Sequence, residues 1–350
     1  MNMKISLILL AILLAALFFW AFSFSKSQNA MTNDSDIVDV TKDEDGGGLI
    51  SAPHPLSISA LRSGKYPGSE LVEEDVLENG SNYKRSIVSY KSESNKIFAL
   101  LTVPVGQPPE GGWPVIIFNH GYIPPKEYRT TERYVAYVDG FARNGYVVFR
   151  SDYRGHGSSE GVATGGYGNN DYTIDILNAV SSVKKLSYIN QEKIGMWGHS
   201  MGGHITLRNM VVNKDIKVGV IWAGVVASYP DLVNNWRRRP SVAPSISPSL
   251  TSWRSRFSVE FGTPEKNPDF WNSISSDHYL SDISGPVQIH HGTNDESVPH
   301  AFSEKLQDKA KSAGKVSELY IYEGDDHNLS QNFNTAMNRS VAFFDKYLKD

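Results

Sequence analysis

Along the chain, short apolar runs alternate with stretches of helical period. Val115-Ile116-Ile117-Phe118, Tyr146 to Arg150, Lys193 to Trp197 and Val218 to Ala223 are continuous or nearly continuous apolar runs, the pattern of strands buried on both faces, and Val287 to His291 predicts a further strand. Between and after them, Tyr134 to Arg143, Ile205 to Val212, His300 to Ala313 and Asn334 to Leu348 predict helices. A further helix carries Ile174, Leu177, Val180, Val183 and Leu186 on one face, with Asp171 or Thr173 as its cap, and Ser317 to Tyr322 predicts the last strand. Strand and helix alternating in this way predict an α/β fold with a mostly parallel central sheet flanked by helices. Upstream, Ser86 to Tyr90 and Ile97 to Val103 flank the polar stretch Lys91-Ser92-Glu93-Ser94-Asn95, which predicts an antiparallel hairpin at the sheet edge.

Two segments break the alternation. Ile5 to Phe24 is apolar except for Ser6 and Ser23, long enough to cross the ~30 Å hydrocarbon core of a bilayer. Lys4 precedes it and Asp34, Asp36, Asp39, Asp43, Glu44 and Asp45 follow, which places its N-terminal side in the cytoplasm. Residues 1–25 are therefore expected to be a single-pass membrane anchor with the rest of the chain outside the cytoplasm. The alternative is a long signal peptide, cleaved near Ala21-Phe22-Ser23, and a secreted product. Residues 26–52, polar, acidic and containing Gly46-Gly47-Gly48, read as a flexible linker to a domain over 53–350. The second break is the proline- and aromatic-rich stretch from about 229 to 284, expected to be a cap insertion over the site. Its Arg237, Arg238, Arg239, Arg254 and Arg256 are candidates for holding a substrate carboxylate.

A net charge of −4 over 350 residues gives no field for nucleic acid, and the absence of cysteine excludes disulfides, thiolate metal sites and a cysteine nucleophile. The chemistry has to come from elsewhere. Gly198-His199-Ser200-Met201-Gly202-Gly203 lies between a predicted strand and a predicted helix, the setting of a nucleophile elbow whose serine hydroxyl projects above the sheet. The N–H of Met201 then opens the helix and can meet a developing oxyanion. Asn119-His120-Gly121-Tyr122 ends another central strand at the same sheet edge, so the N–H of Tyr122 is the second candidate donor.

The strand ending at His291 leads into Gly292-Thr293-Asn294-Asp295-Glu296, which makes Asp295 the expected orienting carboxylate, with Glu296 as the fallback. Glu323-Gly324-Asp325-Asp326-His327 follows the last strand and supplies His327 as general base. Nucleophile, acid and base in that chain order are the arrangement of α/β-hydrolases. His290 and His291 are neighbours on a strand, point to opposite faces and lack a ligand-spaced partner, so no metal is expected. The glycine-rich loop from Asp152 to Gly161 lacks the P-loop lysine and the dinucleotide glycine pattern, and is expected to be held by an Asp152–Arg154 pair.

Residues 85–350 resemble the catalytic domain of the prolyl oligopeptidase family, within the α/β-hydrolase superfamily. The likeness is carried by Gly198 to Gly203, by Asp152-Tyr153-Arg154-Gly155, by His291 to Pro299 and by Tyr320 to His327. It implies an α/β-hydrolase fold and a cofactor-free serine hydrolase that cleaves small peptide or ester substrates through Ser200, His327 and Asp295. The residues before 85 are too few for the family's many-bladed propeller, and its His-Gly-Gly oxyanion motif is His120-Gly121-Tyr122 here. Three readings follow: a peptidase of this family, a carboxylesterase of the superfamily, or a binding protein that keeps the fold without catalysis.

Overall fold

The computed structural model describes residues 52–236 and 252–349. The expected anchor, nearly all of the linker and Arg237, Arg238 and Arg239 lie outside the described residues. Among those described, no helix is long and apolar enough to cross a membrane.

Nine strands form one sheet: β1 (Val72–Leu77), β2 (Tyr83–Ser92), β3 (Asn95–Pro104), β4 (Trp113–Asn119), β5 (Val147–Ser151), β6 (Ile189–His199), β7 (Ile216–Trp222), β8 (Val287–Gly292) and β9 (Ser317–Tyr322). They lie in the order β1-β2-β3-β5-β4-β6-β7-β8-β9. β1, β2 and β3 pair antiparallel, β3 pairs antiparallel with β5, and every pair from β5 to β9 is parallel. Helices α1 (Ile58–Ser63), α2 (Val135–Ala142), α3 (Asp171–Val183), α4 (Met201–Val212), α8 (Ala301–Ser312) and α9 (Phe333–Leu348) accompany the sheet.

The apolar runs are what set this order, because a strand buried on both faces has to lie inside the sheet. β5, β7 and β8 are buried throughout apart from Lys217, and β4 apart from Trp113. Their side chains feed two cores. Ile117, Met196, Ile205, Ile221 and Ile289 belong to one, and Phe118, Trp197, Val220, Trp222 and Phe344 to the other. Each such side chain contributes on the order of 2 kcal/mol by leaving water.

Register decides function. Phe118 pairs with Trp197 and Asn119 with Gly198, so β4 and β6 end level with each other. The turns that follow, His120 to Tyr122 and Ser200, are therefore neighbours at the carboxyl edge.

β1 was not foreseen, and its burial explains why: all its residues except Leu77 are exposed, so it carries no buried-face pattern. The hairpin turn is also tighter than the polar stretch implies. Asn95 pairs directly with Ser92, and Glu93 takes a left-handed φ of 54° to make the reversal. The cap of α3 is Asn170, with Asp171 already in the first helical turn, where its charge favours the helix dipole.

The expected Asp152–Arg154 pair is not formed. Arg154 reaches α3 instead and binds Asp175 at 2.7 Å, with Glu93 at 2.9 Å. Asp152 turns the other way and accepts hydrogen bonds from Tyr128 (2.8 Å) and Thr130 (2.5 Å). A guanidinium buried to this extent needs charge partners that share its pocket, and Asp175 is fully buried beside it.

Between β7 and β8 the described part of the insertion contains α5 (Tyr229–Asn234), α6 (Trp253–Phe261), α7 (Pro268–Ile274) and a 3-10 segment, Ser276–Asp282. Tyr229, Phe257, Trp271 and Ile274 give it a small core of its own. Arg254 donates to the carbonyl of Leu232 and lies over the Trp236 and Trp253 rings, while Arg256 donates to the carbonyl of Gly168. Both arginines brace the insertion.

Candidate active site

Ser200 sits between β6 and α4 with φ 56° and ψ −117°, a conformation that costs a non-glycine residue roughly 1–3 kcal/mol. Its neighbours hold it there. Its N–H donates to Trp222 O at 3.0 Å, and its carbonyl accepts from the N–H groups of Gly203 and Val225, each at 3.0 Å. The turn closes because Gly198 and Gly202 have no Cβ. A Cβ on Gly198 would stand 2.2 Å from the Gly202 carbonyl oxygen, and one on Gly202 would stand 1.9 Å from that of Asn119.

Asp295 lies in the turn after β8 and is fully buried at its side chain. Its Oδ1 accepts the N–H groups of Ser297 (2.8 Å) and Val298 (2.9 Å). Its Oδ2 accepts His327 Nδ1 at 2.6 Å and His291 Nε2 at 3.0 Å. Burial by itself would raise this carboxyl, but the bonds from His291 and His327 outweigh it and hold the group well below the usual carboxylate range. It is an anion at neutral pH, able to fix the tautomer of His327 and to balance a positive charge on that ring. Of the two acids considered, Asp295 is the one bonded to His327.

His327 is carried by the turn between β9 and α9. Buried Asp325 shapes that turn, accepting the N–H groups of Asp326 (2.9 Å), Gln331 (3.1 Å) and Asn332 (3.0 Å). Ser200 and His327 line one cavity of about 350 Å³, together with Tyr122, Arg133, Tyr134 and Ser297. No hydrogen bond joins the serine hydroxyl to the imidazole across it among the described residues, a looseness common in ligand-free hydrolytic sites.

Gly121 packs against the elbow, since a Cβ there would stand 3.2 Å from Ser200 Cβ. Tyr122, next along, lines the cavity with its side chain mostly exposed. Met201 is buried and begins α4, so its N–H has no partner within the helix. Tyr122 and Met201, the two residues expected to supply backbone donors, thus come from separate elements that meet beside the serine. His120 itself is a packed side chain, buried between the Tyr128 and Tyr153 rings.

Several residues that build the site have roles that the motifs do not specify. His291 secures Asp295 through Nε2, while its Nδ1 meets Ser303 Oγ at 2.7 Å. His290, on the opposite face, bonds Tyr322 and Gln288. His199 bonds Tyr134 at 2.7 Å and the backbone carbonyl of His327 at 2.9 Å. Buried Arg150 donates to the carbonyls of Arg133 and Thr130 and fixes the loop that faces the elbow. The signal available for His199 was its place inside the elbow motif; for the others only the fold could bring the partners together. Among the described residues no cluster of three or more histidine, cysteine or acidic side chains is placed to hold a metal.

A model of the prolyl oligopeptidase family matches residues 133–350. A Bacillus subtilis (strain 168) protein described as the uncharacterized peptidase YuxL is 27% identical over 249 residues, 68% of this chain and 35% of its own. A second from the same organism, the uncharacterized peptidase YtmA, is 26% identical over 187 residues, 52% of this chain and 65% of its own. The chain thus spans about a third to two thirds of the length of these curated relatives. Among solved structures, a Mycobacterium tuberculosis puromycin-hydrolyzing peptidase superposes with a TM-score of 0.60 at 18% identity, over 77% of this chain and 40% of that one. Est1E of Butyrivibrio proteoclasticus with bound ferulic acid superposes with a TM-score of 0.55 at 22% identity, over 73% of this chain and 98% of that one. At these identities the structural matches establish a shared fold.

Proposed function

The chain belongs to the prolyl oligopeptidase family and is a serine hydrolase of the α/β-hydrolase fold, and from that premise we propose that it cleaves small peptide substrates through an acyl-enzyme formed on Ser200. In this mechanism the Ser200 hydroxyl attacks the scissile carbonyl as His327 Nε2 takes its proton. The tetrahedral oxyanion accepts the N–H groups of Tyr122 and Met201, each worth on the order of 3 kcal/mol in the transition state. His327 then gives the proton to the leaving amine, and water, activated by the same imidazole, releases the acyl group. Asp295 holds the imidazole in the tautomer that leaves Nε2 free to accept.

The observation that carries this reading is the 2.6 Å bond between His327 Nδ1 and Asp295 Oδ2, beside a serine in a strained elbow conformation. Labelling of the folded protein by a fluorophosphonate probe, lost in Ser200→Ala, tests it directly. An unlabelled Ser200 in folded protein would overturn it.

Carboxylester hydrolysis is the second reading, and one finding favours it. Two esterase structures, Est1E and the Pyrococcus furiosus esterase Pf2001, are matched over 98% and 99% of their length, whereas the peptidase structure above is matched over 40%. Turnover of aminoacyl amides against short acyl esters separates the two. The apolar stretch from Ile5 to Phe24 supports a membrane-tethered hydrolase facing away from the cytoplasm. Carbonate extraction of membranes from cells carrying the full chain checks it, and protein released with the wash would argue for the cleaved, secreted form.

A further inference from the structure

Three segments must agree for the proposed chemistry to work: the loop carrying the Tyr122 donor, the elbow carrying Ser200 and the turn carrying His327. They come from three distant parts of the chain, yet one row of polar atoms joins them. Gly121 N–H donates to Tyr134 Oη at 2.9 Å. Tyr134 Oη lies 2.7 Å from His199 Nδ1, and His199 Nε2 lies 2.9 Å from the carbonyl oxygen of His327.

The directions of these bonds are fixed by elimination. The His327 carbonyl can only accept, so His199 Nε2 must bear the hydrogen, and in a neutral imidazole Nδ1 is then an acceptor. Tyr134 must therefore donate its own proton to Nδ1 while receiving the Gly121 N–H. Burial holds His199 neutral, pushing it down to about 3 with the nearby His327 adding to the effect, and burial also raises Tyr134, so both stay in the states the row requires. The backbone is bent to deliver the ring. Arg133 and Tyr134 are consecutive non-glycine residues at φ 54° and 50°, and the carbonyl of the first is held by the buried Arg150. Such left-handed pairs persist only where surrounding contacts over-determine them.

We propose that Tyr134 and His199 are positioning residues, a neutral hydrogen-bonded relay that sets the oxyanion donor, the nucleophile and the backbone of the general base at fixed separations. The inference rests on the serine-hydrolase mechanism proposed above and goes beyond it by assigning work to two side chains that form no hydrogen bond with the Ser200 hydroxyl or the His327 ring, although the His199 ring packs against that imidazole with 4.6 Å between centroids. His327 is thereby held at two points: its ring by Asp295 and its main chain by His199. The relay passes through the residue immediately before Ser200, so a displacement of the base turn is carried to the nucleophile.

The test uses Tyr134→Phe, His199→Asn and His199→Gln in the full chain. The phenylalanine keeps the ring and removes both bonds of the hydroxyl. Its expected effect is a 10- to 100-fold fall in kcat, with KM within twofold, a parallel fall in the rate of fluorophosphonate labelling and a melting temperature within a few degrees of wild type. His199→Gln retains a donor toward the His327 carbonyl and is expected to keep more activity than His199→Asn, which retains only the acceptor toward Tyr134. Combining Tyr134→Phe with His199→Asn is expected to cost no more than the worse single change, because both break one chain.

A kcat within twofold of wild type in Tyr134→Phe, losses that multiply in the double variant, or a change confined to melting temperature or KM would overturn the relay. Nitrogen-15 NMR of wild-type His199 adds a reading independent of variant folding: a protonated Nε2 with unprotonated Nδ1 between pH 5 and 8 supports it, and the opposite tautomer overturns it. Wild-type labelling at Ser200 keeps the two questions apart. If wild type is unlabelled the hydrolase mechanism fails; if wild type is labelled and the variants match it, only the relay fails.

Discussion

His291 Nε2 and His327 Nδ1 share a single oxygen, Oδ2 of Asp295, at 3.0 and 2.6 Å. The carboxylate is thereby pinned from the strand side by His291 and left to face the cavity side with His327. His291 is itself held by Ser303, so the acid of the site has a support reaching into α8. Removing that support with His291→Ala leaves Oδ2 with one donor and a void beside it. A hydrogen bond to a charged group is worth about 1.5–3 kcal/mol. The expected result is a fall in kcat of about tenfold or more together with a lower melting temperature. His291→Gln, able to restore one donor, is expected to recover part of the kcat, and equal kcat values for wild type and the alanine variant would show that Asp295 needs no such brace.

The elbow makes a sharper demand on backbone space. In Gly202→Ala the new methyl would lie 1.9 Å from the carbonyl oxygen of Asn119 and 2.6 Å from its carbon, atoms of a central strand that have no room to retreat. A cost of about 3 kcal/mol or more is expected, with loss of probe labelling even in the folded fraction, because the strand forced away leads directly into Gly121 and Tyr122. Gly314→Ala is the contrast. Nothing lies within 4 Å of its added methyl, and the cost is limited to the strain of a φ of 71°, about 1 kcal/mol. Thermal melts of the two variants measure the difference, and similar melting temperatures would contradict the packing at the elbow.

Asp152 gives the fold an unusual dependence on pH. Burial pushes its carboxyl up to about 7 despite the bonds from Thr130 and Tyr128 and the charge of Arg150. A folded-state value above the unfolded one means that the native protein holds a proton the unfolded chain has released. This group's contribution is full below about pH 4 and is lost as pH rises toward 7, a change of up to about 4 kcal/mol. Asp152→Asn keeps the neutral shape without the titration. Urea midpoints of wild type minus those of the variant are expected to fall steadily from pH 4.5 to 7.5, and a flat difference would refute the assignment.

The buried histidines act in the opposite sense. Burial pushes His120, His199, His204 and His290 down to about 3 each, so they stay neutral in the fold but take up protons when it opens. Depressed bases contribute stability above the unfolded value of about 6.5 that is lost as pH falls below it. Four such groups outweigh the two buried carboxyls that act in the opposite sense, Asp152 and Asp175. Stability of the wild type is therefore expected to drop steeply between pH 6 and 4, with net proton uptake on unfolding at pH 5. Proton release, or a midpoint independent of pH in this window, would contradict it.

The parts of the fold that were legible in the sequence are those where one physical demand dominates. Strands buried on both faces must be continuously apolar, and Val115 to Phe118 and Val218 to Trp222 therefore read directly as β4 and β7. The elbow was legible because strand, serine and helix have to follow within a few residues with glycines two positions to either side. β1 carries Glu73, Glu74 and Asp75 on an exposed edge and offers no pattern to read. The Arg154 pairing was misread because its partner, Asp175, lies 21 residues further along, and charge proximity in sequence says little about a buried ion pair. The supports of the site, His291, His199, Tyr134 and Arg150, depend on contacts between distant segments, which a linear motif does not contain.

Among the described residues that line the cavity, one side chain is a cation, Arg133, and none is a carboxylate. No hydrogen bond or ion pair joins its guanidinium to a described residue, and Asp295, the carboxylate bonded to His327, is fully buried with both oxygens already occupied. A substrate bearing an ammonium group beside the scissile bond would meet this charge with no compensating partner, whereas one bearing a carboxylate would gain an ion pair. Because Arg133 is exposed, the pair is worth about 1 kcal/mol and is screened by salt. At low ionic strength kcat/KM is therefore expected to be about fivefold higher for a half-ester of a short dicarboxylic acid than for a neutral acyl ester of equal length. Arg133→Ala should abolish that margin and leave the neutral ester within twofold of its wild-type value, and the margin should shrink in 0.5 M salt. Faster turnover of an ammonium-bearing ester than of the neutral one would show instead that the cavity's field is set by groups other than Arg133.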